Sequence, residues 1–264
     1  MSHLTLLSLL LILSLCVSAE ARVVTRDVPY EAGDVNLRGY LAYDDALTGK
    51  RPGVLVFHEF WGLNDFTRER TRQLAEMGYI AFAADMFGKV TDDRAEAGRL
   101  AGQFRGNWTS GGRQLMRDRA RAGLAVLAAD PRVDPAHIAA IGFCFGGTTA
   151  LELAYSGAGV SAVVSFHGGL TAPDPADISH LTTAFLILHG ADDPTIKPED
   201  ITALQEGLRK AKVDWQMVYY GGARHGYMNP ASGNKPGASA YNEVAARRSW
   251  QAMRDFFREV LPLR

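Results

Sequence analysis

The sequence predicts an α/β fold, a mostly parallel central sheet with helices on both of its faces. Two observations carry that expectation. From about Glu20 to the end of the chain, short apolar runs alternate with amphipathic stretches, the rhythm of strand and helix layering. From Val54 onward the strand-like runs are almost continuously apolar, as strands covered on both faces must be.

In chain order, the strand candidates are Val23–Tyr30, Leu37–Tyr43, Val54–Phe57, Ile80–Ala84, Ile138–Ile141, Val160–Phe166, Phe185–Leu188 and Trp215–Tyr220. Helices fall between them. Met116, Ala120, Leu124 and Leu127 recur at helical spacing until Asp130-Pro131 stops the segment. A helix-like stretch covers Thr148–Tyr155. Ile201, Leu204 and Leu208 form a stripe after Pro198, a residue suited to a first helical turn. Ala246, Trp250, Met253, Phe257 and Val260 mark a C-terminal helix with one buried face. These stripes read as core. Gly221 to about Ser239 is rich in Gly, Pro and Asn, and a structureless stretch of that length inside a domain is usually a functional loop. No repeat or separating linker divides residues 20–264, which read as a single domain.

Composition narrows the function. The 264 residues carry 28 Lys+Arg against 29 Asp+Glu, a net charge of −1, with no basic helix or tail. That balance offers no electrostatic footprint for nucleic acid. Two cysteines, Cys16 and Cys144, exclude a disulfide scaffold and a zinc site built on cysteine pairs. The first nineteen residues have no acidic or basic side chain, a leucine-rich centre and the ending Val17-Ser18-Ala19. They read as a signal peptide cleaved near Ala19, giving a secreted or periplasmic protein that is not held in a membrane. The alternative is an uncleaved anchor, but the apolar run falls short of the roughly 20 residues of a span. The bulky Leu15 before Cys16 disfavours lipid attachment. After cleavage Cys144 is the only cysteine left.

Gly142-Phe143-Cys144-Phe145-Gly146-Gly147 follows one strand candidate and precedes a helix-like stretch. Such a G-x-nucleophile-x-G turn projects its central side chain above the sheet, and the helix N-terminus favours a thiolate. A free cysteine is otherwise a small buried hydrophobe; the strand–turn–helix context favours a nucleophile. At the end of Phe185–Leu188 comes His189-Gly190-Ala191-Asp192-Asp193-Pro194. Either aspartate could orient a histidine or simply make a turn; Asp193 is preferred and Asp192 is the fallback. Ala223-Arg224-His225-Gly226 lies in the long loop, and histidine is the neutral-pH base such chemistry needs. His58, His167 and His189 compete for the role, but the order nucleophile, acid, histidine of an α/β-hydrolase selects His225. Phe57-His58-Glu59-Phe60-Trp61-Gly62-Leu63-Asn64 follows Val54–Phe57. In that fold this loop and the residue after the nucleophile supply oxyanion-hole N–H groups, here Phe60 and Phe145. Glu59 is then close to the thiol, unless it is an ordinary solvated carboxylate.

With H-E-x-x-G-x-N at residues 58–64, G-x-C-x-G-G at 142–147, an Asp after a strand and a loop His, the chain resembles the dienelactone hydrolase family. The resemblance implies an α/β-hydrolase fold and a Cys144–Asp193–His225 triad with no metal or organic cofactor. It also implies that Glu59 controls a thiol that rests protonated until substrate binding shifts Glu59. Dienelactone-cleaving members hold the substrate carboxylate with two arginines. The corresponding positions here hold Lys89 and Asn229, at best a point charge and a neutral amide. Together with Trp61, these are the substrate-contact candidates. The expected activity is hydrolysis of a small lactone or carboxylic ester, with neutral substrates competing well against anionic ones. A non-catalytic binding protein on a hydrolase shell, or an acyltransferase or peptidase of the same fold, are the alternatives; retention of nucleophile, acid and base together argues against a mere binder.

Overall fold

The computed structural model describes residues 22–105, 112–233 and 237–263. The expected leader, with Cys16, lies outside them. In chain order the strands are β1 (Val23–Ala32), β2 (Val35–Asp44), β3 (Arg51–Phe57), β4 (Ile80–Ala84), β5 (Val133–Phe143), β6 (Ala162–Phe166), β7 (Ala184–Gly190) and β8 (Trp215–Tyr220). They form one sheet in the order β1-β2-β4-β3-β5-β6-β7-β8. β2 pairs antiparallel with β1 and β4, and every other pairing is parallel. Each strand candidate corresponds to one of these strands. β5 starts at Val133 instead of Ile138, because its register against β3 jumps from Asp134 to Ile138. That irregularity absorbs Pro135, which has no N–H to give to a ladder.

The helices are α1 (Asp65–Glu76), α2 (Arg94–Arg105), α3 (Gly112–Ala128), α4 (Phe145–Tyr155), α5 (Pro175–Ile178), α6 (Pro198–Ala211) and α7 (Glu243–Val260). Strand periodicity divides the core in two. On one face Leu55, Phe57, Phe82 and Phe185 pack with Met116, Ala120 and Leu127 of α3, Leu151 of α4 and Leu204 and Leu208 of α6. On the other, Val54, Val56, Phe143 and Phe166 meet Leu74 of α1 and Met253 and Phe257 of α7. The sheet is thus covered on both sides, which is why its central strands read as unbroken apolar runs. No helix among the described residues is long and apolar enough to cross a membrane.

An ion cluster ties the helices of the first face together. Glu152, fully buried on α4, accepts from Arg113 Nε at 2.7 Å, Arg117 Nε at 2.9 Å and Thr171 Oγ1 at 2.9 Å. Arg117 also makes a two-pronged pair with Asp177 at 3.1 and 2.7 Å. It joins α3, α4 and α5 and fixes the chain that follows β6.

Candidate active site

The loops after β3, β5, β7 and β8 meet at the carboxyl ends of the parallel strands, the usual ligand edge of such sheets. Cys144 occupies the turn from β5 into α4, at φ 55° and ψ −115°. Its backbone N–H donates to the Phe166 carbonyl at 3.0 Å. The turn closes only because its flanking residues lack side chains. A Cβ on Gly142 would collide with the Gly146 carbonyl, and one on Gly146 with the carbonyl of Phe57. The conformation is strained for a non-glycine residue, and it puts the sulfur on the wall of a cavity at the head of α4.

From that sulfur an unbroken line of polar contacts runs through the loops. His225 Nε2 is 3.0 Å from Cys144 Sγ, and its Nδ1 is 2.8 Å from Asp193 Oδ2. The other Asp193 oxygen accepts from the Thr195 N–H at 2.9 Å and the Thr195 hydroxyl at 2.6 Å. Thr195 Oγ1 also lies 3.2 Å from His225 Nδ1. The structure thus brings Asp193, not the exposed Asp192, to the histidine. Burial raises the Asp193 carboxyl, but the bonds from His225 and Thr195 outweigh it and hold the group below its ordinary range. Burial also opposes charge on His225, yet the Cys144 sulfur and Asp193 push it up to about 10. Thr195 was not singled out from sequence, although Asp193-Pro194-Thr195 has the form of a carboxylate that bonds the N–H two residues on.

Glu59 is buried on the same cavity wall. Burial pushes its carboxyl up to about 7, against the lowering effects of its bond from Asn229 and the positive charges of His225 and Arg70. Asn229 Nδ2 donates to Glu59 Oε2 at 2.5 Å, while Asn229 Oδ1 accepts from the Ala231 N–H at 2.9 Å. Both ends of this amide are engaged inside the protein. Asn229 also lines the cavity, with its amide already bonded to Glu59. His58 holds the backbone beside Glu59: its Nδ1 is 2.5 Å from the Glu59 carbonyl, and its Nε2 accepts from the Met86 N–H at 3.0 Å. That pattern requires a neutral ring, in keeping with the lowering that burial imposes.

The cavity measures about 1150 Å³, and Phe60 and Trp61 form an aromatic wall, their ring centroids 4.2 Å apart. Phe145 is the first residue of α4. Lys89 is placed differently from expectation. It is not among the lining residues, and its ammonium lies 2.6 Å from Glu96 Oε1. Gly88, at φ 72°, turns the chain after β4. Arg94, at the start of α2, is the guanidinium on the wall, 5.8 Å from the Phe60 ring centroid, and Asp92 lies beside it. No group of three or more His, Cys, Asp or Glu among the described residues is arranged to hold a metal ion.

Comparison with known proteins finds named relatives of the chain and its fold. A metagenomic protein described as a dienelactone hydrolase-like promiscuous phosphotriesterase has a solved structure that superimposes with a TM-score of 0.84. It is 42% identical, over 90% of this chain and 98% of its own. A Synechocystis protein described as "Putative carboxymethylenebutenolidase" is 28% identical over 86% of this chain and 94% of its own length. Dienelactone hydrolase of Anabaena variabilis, 20% identical with a TM-score of 0.62 over 90% of this chain and 99% of its own, shares the fold. The model of the dienelactone hydrolase family itself matches residues 37–261, nearly the whole sheet and every residue of the site, and the chain therefore belongs to that family of hydrolases.

Proposed function

We propose that the protein hydrolyses a small lactone or carboxylic ester by covalent catalysis on Cys144. The observation that carries this reading is the continuous contact from Cys144 Sγ through His225 to Asp193, opening onto the large cavity. His225 Nε2 takes the thiol proton, and the sulfur attacks the carbonyl carbon. The resulting oxyanion is held by the backbone N–H groups of Phe60 and Phe145. As the tetrahedral centre collapses, the C–O bond breaks and His225 returns the proton to the leaving oxygen, giving a thioester. Water, deprotonated by His225, then attacks the thioester, and the sulfur leaves with the acid released. Asp193 keeps Nδ1 protonated and aimed throughout. Glu59, raised by burial to about 7, borders the same cavity, and its charge sets how readily the Cys144 proton passes to His225. Phe60 and Trp61 give the substrate an apolar flank.

Cys144→Ala should lower kcat on such substrates by at least about a thousandfold while the fold is kept. Cys144→Ser should also be slow, because a hydroxyl ionises far less readily than a thiol. Mass spectrometry of the wild type quenched during turnover should show the added acyl group. Hydrolysis by Cys144→Ala at the wild-type rate would refute the reading. The 42% identity to the metagenomic phosphotriesterase favours phosphotriesters as a second substrate class. There the same sulfur would attack phosphorus and displace an alcohol protonated by His225, followed by water.

A further inference from the structure

His167 has no part in the chemistry above, yet its backbone and its buried ring both carry a cost. It follows β6 with φ 40°, in the left-handed region where a glycine would sit without strain. Its side chain is fully buried, and neither ring nitrogen reaches a hydrogen-bond partner among the described residues. Two unpartnered nitrogens on one buried side chain call for an explanation. The local geometry supplies one. Strand alternation sends Val163 to the face of α4, and Val164 and Phe166 to the face of α7; continued, it would turn residue 167 towards α4. Instead the left-handed turn swings the ring the other way. There it packs edge-to-face on His225, with centroids 5.4 Å apart and planes at 67°, and on Tyr227 at 5.2 Å.

We infer that His167 is a positioning residue, whose ring braces the His225 imidazole so that Nε2 stays on the Cys144 sulfur. Asp193 and Thr195 hold one edge of His225 by Nδ1; hydrogen bonds along an edge leave the ring free to swing about it, and a ring packed edge-to-face removes that freedom. The groups whose charge acts on His167 are His225, Asp193 and Arg70. Burial and the neighbouring His225 both keep His167 neutral, so the proton remains on the histidine that touches sulfur. The inference rests on the proposed triad.

The test compares His167→Gly, which suits the backbone and removes the ring, with His167→Phe, which keeps an aromatic ring but no nitrogens. His167→Gly should fold with Tm unchanged or raised, yet lose about tenfold or more in kcat. The pH dependence of Cys144 alkylation by iodoacetamide should shift in that variant. His167→Phe should recover most of both properties. Unchanged kcat and alkylation profile in His167→Gly would overturn the inference, as would a His167→Phe that folds but is as impaired as His167→Gly. Cys144→Ala measured alongside separates the two ideas: activity there sinks the triad, whereas an inactive Cys144→Ala with a fully active His167→Gly sinks only the bracing role.

Discussion

Glu59 is almost fully buried on the cavity wall, and its protonation becomes a stability property. Its ordinary value of 4.5 is raised to about 7 by burial. Below pH 4.5 the carboxyl is neutral in both folded and unfolded chains and costs nothing. Between pH 4.5 and 7 the unfolded chain releases the proton first, so stability falls as pH rises. Above about 7 the full penalty applies, on the order of 3 kcal/mol. Glu59→Gln should therefore raise Tm at pH 8 and leave it nearly unchanged at pH 4.5. An equal change at both pH values would show that burial does not govern this group. Residue by residue, the site was legible wherever a local pattern fixes a backbone turn. Gly142 to Gly147 is one such pattern, and the acid after β7 is another. Pairings across the fold were not legible. Asn229 is 170 positions from Glu59, and nothing near either residue announces that the amide holds the carboxylate.

Long-range pairing also governs the elements, and the cluster on α4 shows it most plainly. Glu152 meets Arg113 and Arg117 from 39 and 35 residues away. Removing it would take the buried partner from Arg113 and Arg117 and leave them paired only with Asp174 and Asp177, so the cost should lie below the roughly 3–5 kcal/mol of a fully uncompensated buried charge. Glu152→Ala should lower the urea midpoint accordingly and leave kcat per folded molecule unchanged; a loss below about 1 kcal/mol would mean that the arginines find other partners. The sequence displayed β3 to β7 because their side chains are buried on both faces. Helices α1 and α2 were hidden for a physical reason. The inner face of α1 includes Thr67 and Thr71, whose hydroxyl groups mask the apolar stripe; Thr71 Oγ1 satisfies itself on the Thr67 carbonyl at 2.8 Å. In α2 two of the buried positions are alanines, Ala97 and Ala101, which add little to a periodic signal.

For the whole molecule, the sheet sets where the turns bearing Cys144, Asp193 and His225 meet, while the loops at its edge border the cavity. Arg94 is the cation on the cavity wall, which Asp92 also lines, and Lys89 is occupied by Glu96. Arg94→Ala should lower kcat/KM for a lactone bearing a carboxylate by about two- to fivefold, the scale of an exposed ion pair. It should spare a neutral ester, and the effect should fade with salt. Lys89→Ala should change neither substrate. A reversed pattern would place the anion-binding wall beside Lys89.

The long loop after β8 is closed at its base by the chain that returns from it. Ala240 N–H donates to the His225 carbonyl at 3.1 Å, and Asn242 N–H to the Tyr227 carbonyl at 3.1 Å. Between these ties, Ala231, Ser232 and residues Gly237–Ser239 border the cavity. His225 is thus anchored at the neck of a bag whose body borders the cavity. Within that body Ser232 is tied back to the neck, its Oγ donating to the Gly226 carbonyl at 3.1 Å. One stretch of chain therefore carries both the cavity rim and the candidate base, and a change in the rim reaches His225 through Ser232 and Gly226.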